Sequence, residues 1–131
     1  MLMFDDFWGD AEWTAVEQQV KLIFPGRTIA DLPIGHSLFH VVYEFQEFPQ
    51  VPTLAVALRG ATAAEQGIEP VHYRAVLADD GRIQALLCYN TDLGDGWERA
   101  GETPMYSDKY SLPKAFPMGA NIVAYAMKNK K

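Results

Sequence analysis

A single cysteine, Cys88, stands in the chain, which excludes an internal disulfide and a cysteine-based zinc cluster. Basic residues are also few: 11 Lys and Arg face 17 Asp and Glu, for a net charge of −6. Nucleic acid and anionic membranes both need a basic footprint, so neither is an expected partner. No apolar run comes near the ~20 residues of a membrane-spanning helix. The apolar opening Met1–Phe4 meets Asp5 and Asp6 at once, which does not read as a secretion signal. Also missing are a G-x-S-x-G elbow, a phosphate-cradling glycine loop and a G-x-G-x-x-G turn. Nucleophilic catalysis and nucleotide binding therefore lack sequence support. What is present is apolar and aromatic: 131 residues, 49% hydrophobic, with seven Phe, six Tyr and three Trp. Such a chain builds one core and is short of two ordinary domains. The reading is a single soluble, acidic α/β domain over residues 1–131, cytoplasmic as written.

Hydrophobic spacing predicts the elements. Leu2, Met3 and Phe4 read as a short buried or edge strand. Trp13, Val16, Val20, Ile23 and Phe24 recur at three- and four-residue steps, which predicts a helix over 11–24 stopped by Pro25-Gly26. A strand is expected at Thr28–Leu32, a loop or single turn over 33–40, and extended chain at Val41–Phe45 from its β-branched and aromatic bias. Pro49 and Pro52 block regular structure around them. Leu54–Leu58 is an apolar run, and 60–69 reads as a surface loop. Two apolar runs, His72–Ala78 and Arg82–Tyr89, flank Asp79-Asp80-Gly81, the pattern of a β-hairpin whose second arm is the central strand. Residues 90–113 read as a long, acidic, functional loop, and a closing helix is expected from about Pro113 to Met127. The order is β-α-β-β-β-β-α.

Two segments could carry chemistry. Asp5-Asp6-Phe7-Trp8-Gly9 follows a strand and precedes a helix, the position where open α/β sheets bind ligands. The competing reading is that Asp6 or Asp10 caps the helix and Trp8 covers the core. Asn90-Thr91-Asp92-Leu93-Gly94-Asp95-Gly96-Trp97-Glu98 leaves the buried arm of the hairpin with oxygen donors at 90, 92, 95 and 98. The spacing departs from an EF-hand loop, so a structural acidic turn is favoured over a metal site. His36 and His40 stand four apart without a zincin glutamate between them, and Cys88 lies on an apolar strand. The residues leave cofactor and metal unidentified.

The motifs Phe4–Gly9 with Glu12-Trp13, Leu32-Pro33 with His36–His40, Pro49–Pro52, Asn90–Glu98 and Ala115–Ala126 resemble, in order, a bacterial family known as domain of unknown function 4159. The resemblance implies a flavodoxin-like three-layer sandwich related to class I glutamine amidotransferases and ThuA-like proteins. It also implies proteins often exported or attached to membrane-anchored partners, of unestablished activity. Family domains carry a further segment before the Asp-Asp motif, so this chain resembles one lacking its N-terminal strands and helices. An exposed sheet edge and self-association are the expected consequences. The turn that holds the amidotransferase nucleophile corresponds to Asp5–Trp8 and has no cysteine.

These residues suggest binding of a small polar ligand or a partner protein, the latter in a bacterial envelope complex or as a homo-oligomer. The expected ligand-binding residues are Asp5, Asp6, Trp8, Asn90, Asp92, Asp95, Trp97 and Glu98, with Trp8 and Trp97 as walls. Rings and acids together suit polyhydroxyl ligands, whose apolar faces stack and whose hydroxyls donate. The alternative is a metal-assisted or two-carboxylate hydrolase using Asp6, Asp92, Asp95 or Glu98.

Overall fold

The computed structural model describes residues 1–60 and 70–128; the expected loop at 60–69 lies almost entirely outside them. Four strands form one sheet: β1 (Leu2–Phe7), β2 (Ile29–Asp31), β3 (His72–Leu77) and β4 (Ile83–Tyr89), in the order β1-β4-β3-β2. β1 runs parallel to β4, while β3 is antiparallel to both β4 and β2. The hairpin is as predicted: Tyr73 opposes Cys88 and Ala75 opposes Leu86 around the acidic turn. Its second arm is an interior strand, and from Ala85 to Tyr89 every residue is buried, as a strand covered on both faces requires.

Helices cover both faces. On one side α1 (Gly9–Ile23) lays Trp13, Val16 and Val20 over Phe7, Val76, Ala85 and Leu87. On the other, α2 (Leu54–Leu58), α3 (Leu93–Glu98), α4 (Pro104–Tyr106) and α5 (Phe116–Lys128) enclose the larger core around Tyr73, Leu86, Cys88, Leu93 and Met118. The molecule is thus a mixed α/β domain in three layers with an open four-stranded sheet.

Three expectations are corrected. Residues 90–113 are not a loop: α3, α4 and a π-helical stretch, Ser107–Ala115, occupy most of it and run directly into α5. Its glycines and Pro113 obscured this. Gly96 is in fact required inside α3, because a Cβ there would sit 2.4 Å from Ala115 Cβ. Pro113, which has no N–H to give, is absorbed in the widened π turns. Second, the opening strand is longer than its apolar letters, continuing through Asp5 and Asp6 to Phe7.

Third, Val41–Phe45 is not a strand but a series of bends. Its backbone finds partners elsewhere: Asn121 Oδ1 accepts from Val42 N at 3.1 Å and Tyr43 N at 2.8 Å, while Asn121 Nδ2 donates to Tyr43 O at 2.9 Å. Asn121 is fully buried on α5. One amide side chain thus does the work of a strand partner. Replacing Asn121 by Ala strands three backbone groups, and is expected to lower the unfolding free energy by about 2–4 kcal/mol in urea titration. A change below ~0.5 kcal/mol would show that these groups reach water in the folded protein.

Candidate functional site

The parallel strands β1 and β4 end side by side, and both chain exits are irregular. From Phe4↔Leu87 to Phe7↔Tyr89 the register slips by one residue in β1. The extra residue is accommodated by Asp6 in the left-handed region, φ 56°, a β-bulge that re-aims its neighbours. Asn90, directly after β4, is left-handed too, φ 61°. The two exits are fastened together: Asp6 N donates to Thr91 O at 3.3 Å and Asn90 N to Phe7 O at 3.0 Å. Aspartate and asparagine tolerate this backbone better than other non-glycine residues.

The side chains extend the fastening. Asn90 Oδ1 accepts from Gly9 N at 3.0 Å and its Nδ2 donates to Pro70 O at 2.9 Å. Asp5 Oδ2 accepts from Gly94 N at 2.7 Å, pinning α3 to β1. Asp92 caps α3, its Oδ1 accepting from Asp95 N at 2.7 Å, and Asp95 Oδ2 in turn accepts from Leu54 N at 2.8 Å. The apolar run Leu54–Leu58 therefore becomes a helix because Thr53 and Asp95 satisfy its first amides.

Sequence reasoning placed Asp5, Asp6, Asn90, Asp92 and Asp95 together, and the structure brings them together. It gives them unequal freedom. Asn90 is spent on backbone, and Asp95 on Leu54 N and an ion pair with Arg99. Asp5 keeps Oδ1 buried without a hydrogen-bond partner. Asp6 is exposed and accepts from Trp8 Nε1 at 3.1 Å. Trp97 turns away to α5, donating from Nε1 to Ala115 O at 2.7 Å and lying against Gly119. Glu98 is exposed and pairs with Arg99. Neither Asp6 nor Asp10 caps α1; instead Glu12 Oε2 accepts from Trp8 N at 2.7 Å. Asp10 reaches Tyr89, whose hydroxyl donates to Asp10 Oδ1 at 3.5 Å. That contact and the stack of Phe7, Tyr89 and Trp13 capped by Arg74 were not foreseen. The helical stripe identified Trp13 as inward-facing, but not its neighbours.

The histidines do not pair. His36 Nδ1 accepts from Leu38 N, whereas His40 binds Glu44 and Ile34 O. Cys88 is buried, and burial pushes its thiol well up. Among the described residues, no three His, Cys, Asp or Glu side chains converge as a metal site requires.

Electrostatics mark two of the acids. Burial pushes the Asp5 carboxyl up to about 6, against the pull of the Gly94 N–H. Burial likewise pushes Asp92 up to about 7, with the charges of Asp6, Asp95 and Asp5 adding to it over the opposing Asp95 N–H.

An open mixed sheet layered between helices, with irregular exits at the carboxyl ends of its parallel strands, defines a mixed α/β domain. The chain belongs to the family described as Domain of unknown function (DUF4159), whose model matches residues 1–127. No curated protein and no solved structure matches it.

Both raised carboxyls bind a proton more tightly folded than unfolded, where aspartate titrates near ~3.9. Their contribution to stability is complete below that value and is lost as pH rises through 6 to 7. Unfolding free energy is therefore expected to fall between pH 5 and 8, and Asp92→Asn, which keeps an acceptor for Asp95 N, to flatten that slope. An unchanged slope in denaturation at both pH values would remove Asp92 from this role.

Proposed function

We propose that this domain binds a small polar ligand of the polyhydroxyl class at the carboxyl ends of β1 and β4. One observation carries the reading: a left-handed non-glycine residue stands at the exit of each of two neighbouring parallel strands, Asp6 one residue before the end of β1 and Asn90 directly after β4. Backbone held in a sparsely populated region costs free energy and gathers at ligand sites. Asp6, exposed, and Trp8, half-buried, supply the accessible chemistry there, an acceptor beside an indole ring. A sugar-like ligand would stack on Trp8 and donate hydroxyls to Asp6. The finer fold relationship, flavodoxin-like and akin to glutamine amidotransferases, belongs to the same proposal. The three layers and the site at a β–α turn support it, and Asp5–Trp8, without a cysteine, argues for binding in place of amide chemistry.

A two-carboxylate hydrolase is the second reading, and Asp92 favours it. Burial pushes its carboxyl up to about 7 beside the charge of the exposed Asp6, and a pair separated in this way would divide acid and base roles.

The test is titration with a panel of monosaccharides and polyols, read by tryptophan fluorescence and calorimetry, with nitrophenyl glycosides to detect turnover. Binding is expected to be weakened at least tenfold by Asp6→Gly, which keeps the left-handed backbone, and by Trp8→Ala, with thermal stability little changed. Turnover lost in Asp92→Asn while binding survives would establish the hydrolase. Saturable binding that both substitutions leave intact would place the site elsewhere.

A further inference from the structure

His40 is held by both of its ring nitrogens. Nδ1 lies 2.6 Å from Glu44 Oε2, and Nε2 lies 2.7 Å from Ile34 O. A carboxylate and a backbone carbonyl only accept, while a neutral imidazole has a single N–H to give. Both bonds therefore exist together only when the ring carries two protons and a positive charge. The residues so joined stand on either side of the short helical turn Ser37–Phe39, whose Leu38 and Phe39 are completely buried. Next to Glu44, Phe45 N reaches back to Phe39 O at 3.1 Å and continues the same closure. His40, Ser37 and Val41 line a cavity of about 250 Å³ together with Tyr125 and Lys128 of α5.

We propose that His40 is a proton-operated clasp: charged, it ties Ile34 to Glu44 across the turn, and neutral, it keeps Ile34 and releases Glu44. Exposure selects which bond survives. Glu44 is 69% exposed, so its carboxylate exchanges the ring for water at little cost. The bond to Ile34 O is part-buried, and a carbonyl there loses more by giving up its partner. The charged and titratable groups around the ring are Glu44 on its own segment and, across the cavity, Lys128 and Tyr125 of α5. Lys128 is a like charge, whereas Glu44 is an opposite one in direct contact. The balance holds the His40 imidazole above its ordinary value, through the Glu44 bond first and the Ile34 bond second. Burial pushes His36 in the other direction. With the folded value raised, the clasp is fully closed below ~6.5 and opens as pH rises through the folded value. The device uses no residue of the ligand proposal and stands or falls apart from it.

Nuclear magnetic resonance of the full chain, labelled with nitrogen-15 and titrated from pH 5 to 9, tests this. The His40 ring is expected to titrate above ~6.5 and the His36 ring below it. Amide exchange at Phe45, corrected for its intrinsic pH dependence, should quicken at least tenfold as pH passes the His40 midpoint. That change is read against the interior amides of β4, which report the global loss of stability at Asp5 and Asp92. Glu44→Gln, at an exposed position, should lower the His40 midpoint and give Phe45 its fast exchange at both ends of the range. A His40 midpoint at or below ~6.5 would overturn the proposal, as would Phe45 exchange that follows β4 throughout. A midpoint that Glu44→Gln leaves unmoved would overturn it as well. Should that variant fail to fold, the two readings on the unmodified chain decide the matter by themselves.

Discussion

The rest of the structure depends on how its most buried strand leaves the sheet. β4 lies between β1 and β3 and is covered on both faces, so the residues after it emerge into the interior and not into water. Asn90, Thr91 and Asp92 are all buried, and each backbone group there needs a partner within the protein. The short extended strap Pro49–Thr53 provides several of them. Val51 N donates to Thr91 Oγ1, Asp92 N to Val51 O, and Gln50 Nε2 to Asn90 O. Two tyrosine hydroxyls, from Tyr73 and Tyr106, close on Pro49 O and Pro52 O. The prolines suit the strap because their carbonyls are used and no N–H is missed.

That exit also organises the second layer. Once Asp92 caps α3, Asp5 can pin the same helix from β1, and Asp95 can start α2. Three carboxylates are gathered for structural reasons; burial raises the proton affinity of Asp5 and Asp92, and neighbouring carboxylates, Asp6 among them, add to it. Fold and candidate chemistry are therefore not separable here. The residues that hold the layers together are those that make the strand ends electrostatically unusual, while the exposed Asp6 and the half-buried Trp8 stand at the rim of the same cluster.

Legibility in the sequence followed the range of the interactions. The hairpin, the first helix and the interior place of Ile83–Cys88 were readable because alternation, a three-to-four spacing and an Asp-Asp-Gly turn act between near neighbours. The failures were of one kind. Val41–Phe45 has the side chains of a strand, yet Asn121, 78 residues away from Tyr43, supplies its hydrogen bonds. The segment after Asn90 has the glycines and prolines of a loop, yet Gly96 is needed for the approach of Ala115. Trp97, grouped by sequence with the acids, turns to α5 because Gly119 leaves room for its ring.

The sequence by itself determined the class of the protein. Its periodicities specify an α/β chain and its motifs place it in its family, because these properties depend on composition and local order. Only the tertiary structure decided what each polar residue is free to do. Asp5, Asp92, Asp95 and Asn90 look alike in the sequence as oxygen donors near strand ends. Whether such an oxygen faces a ligand or a backbone amide depends on which amides the fold leaves without water, and that is settled only when distant segments pack.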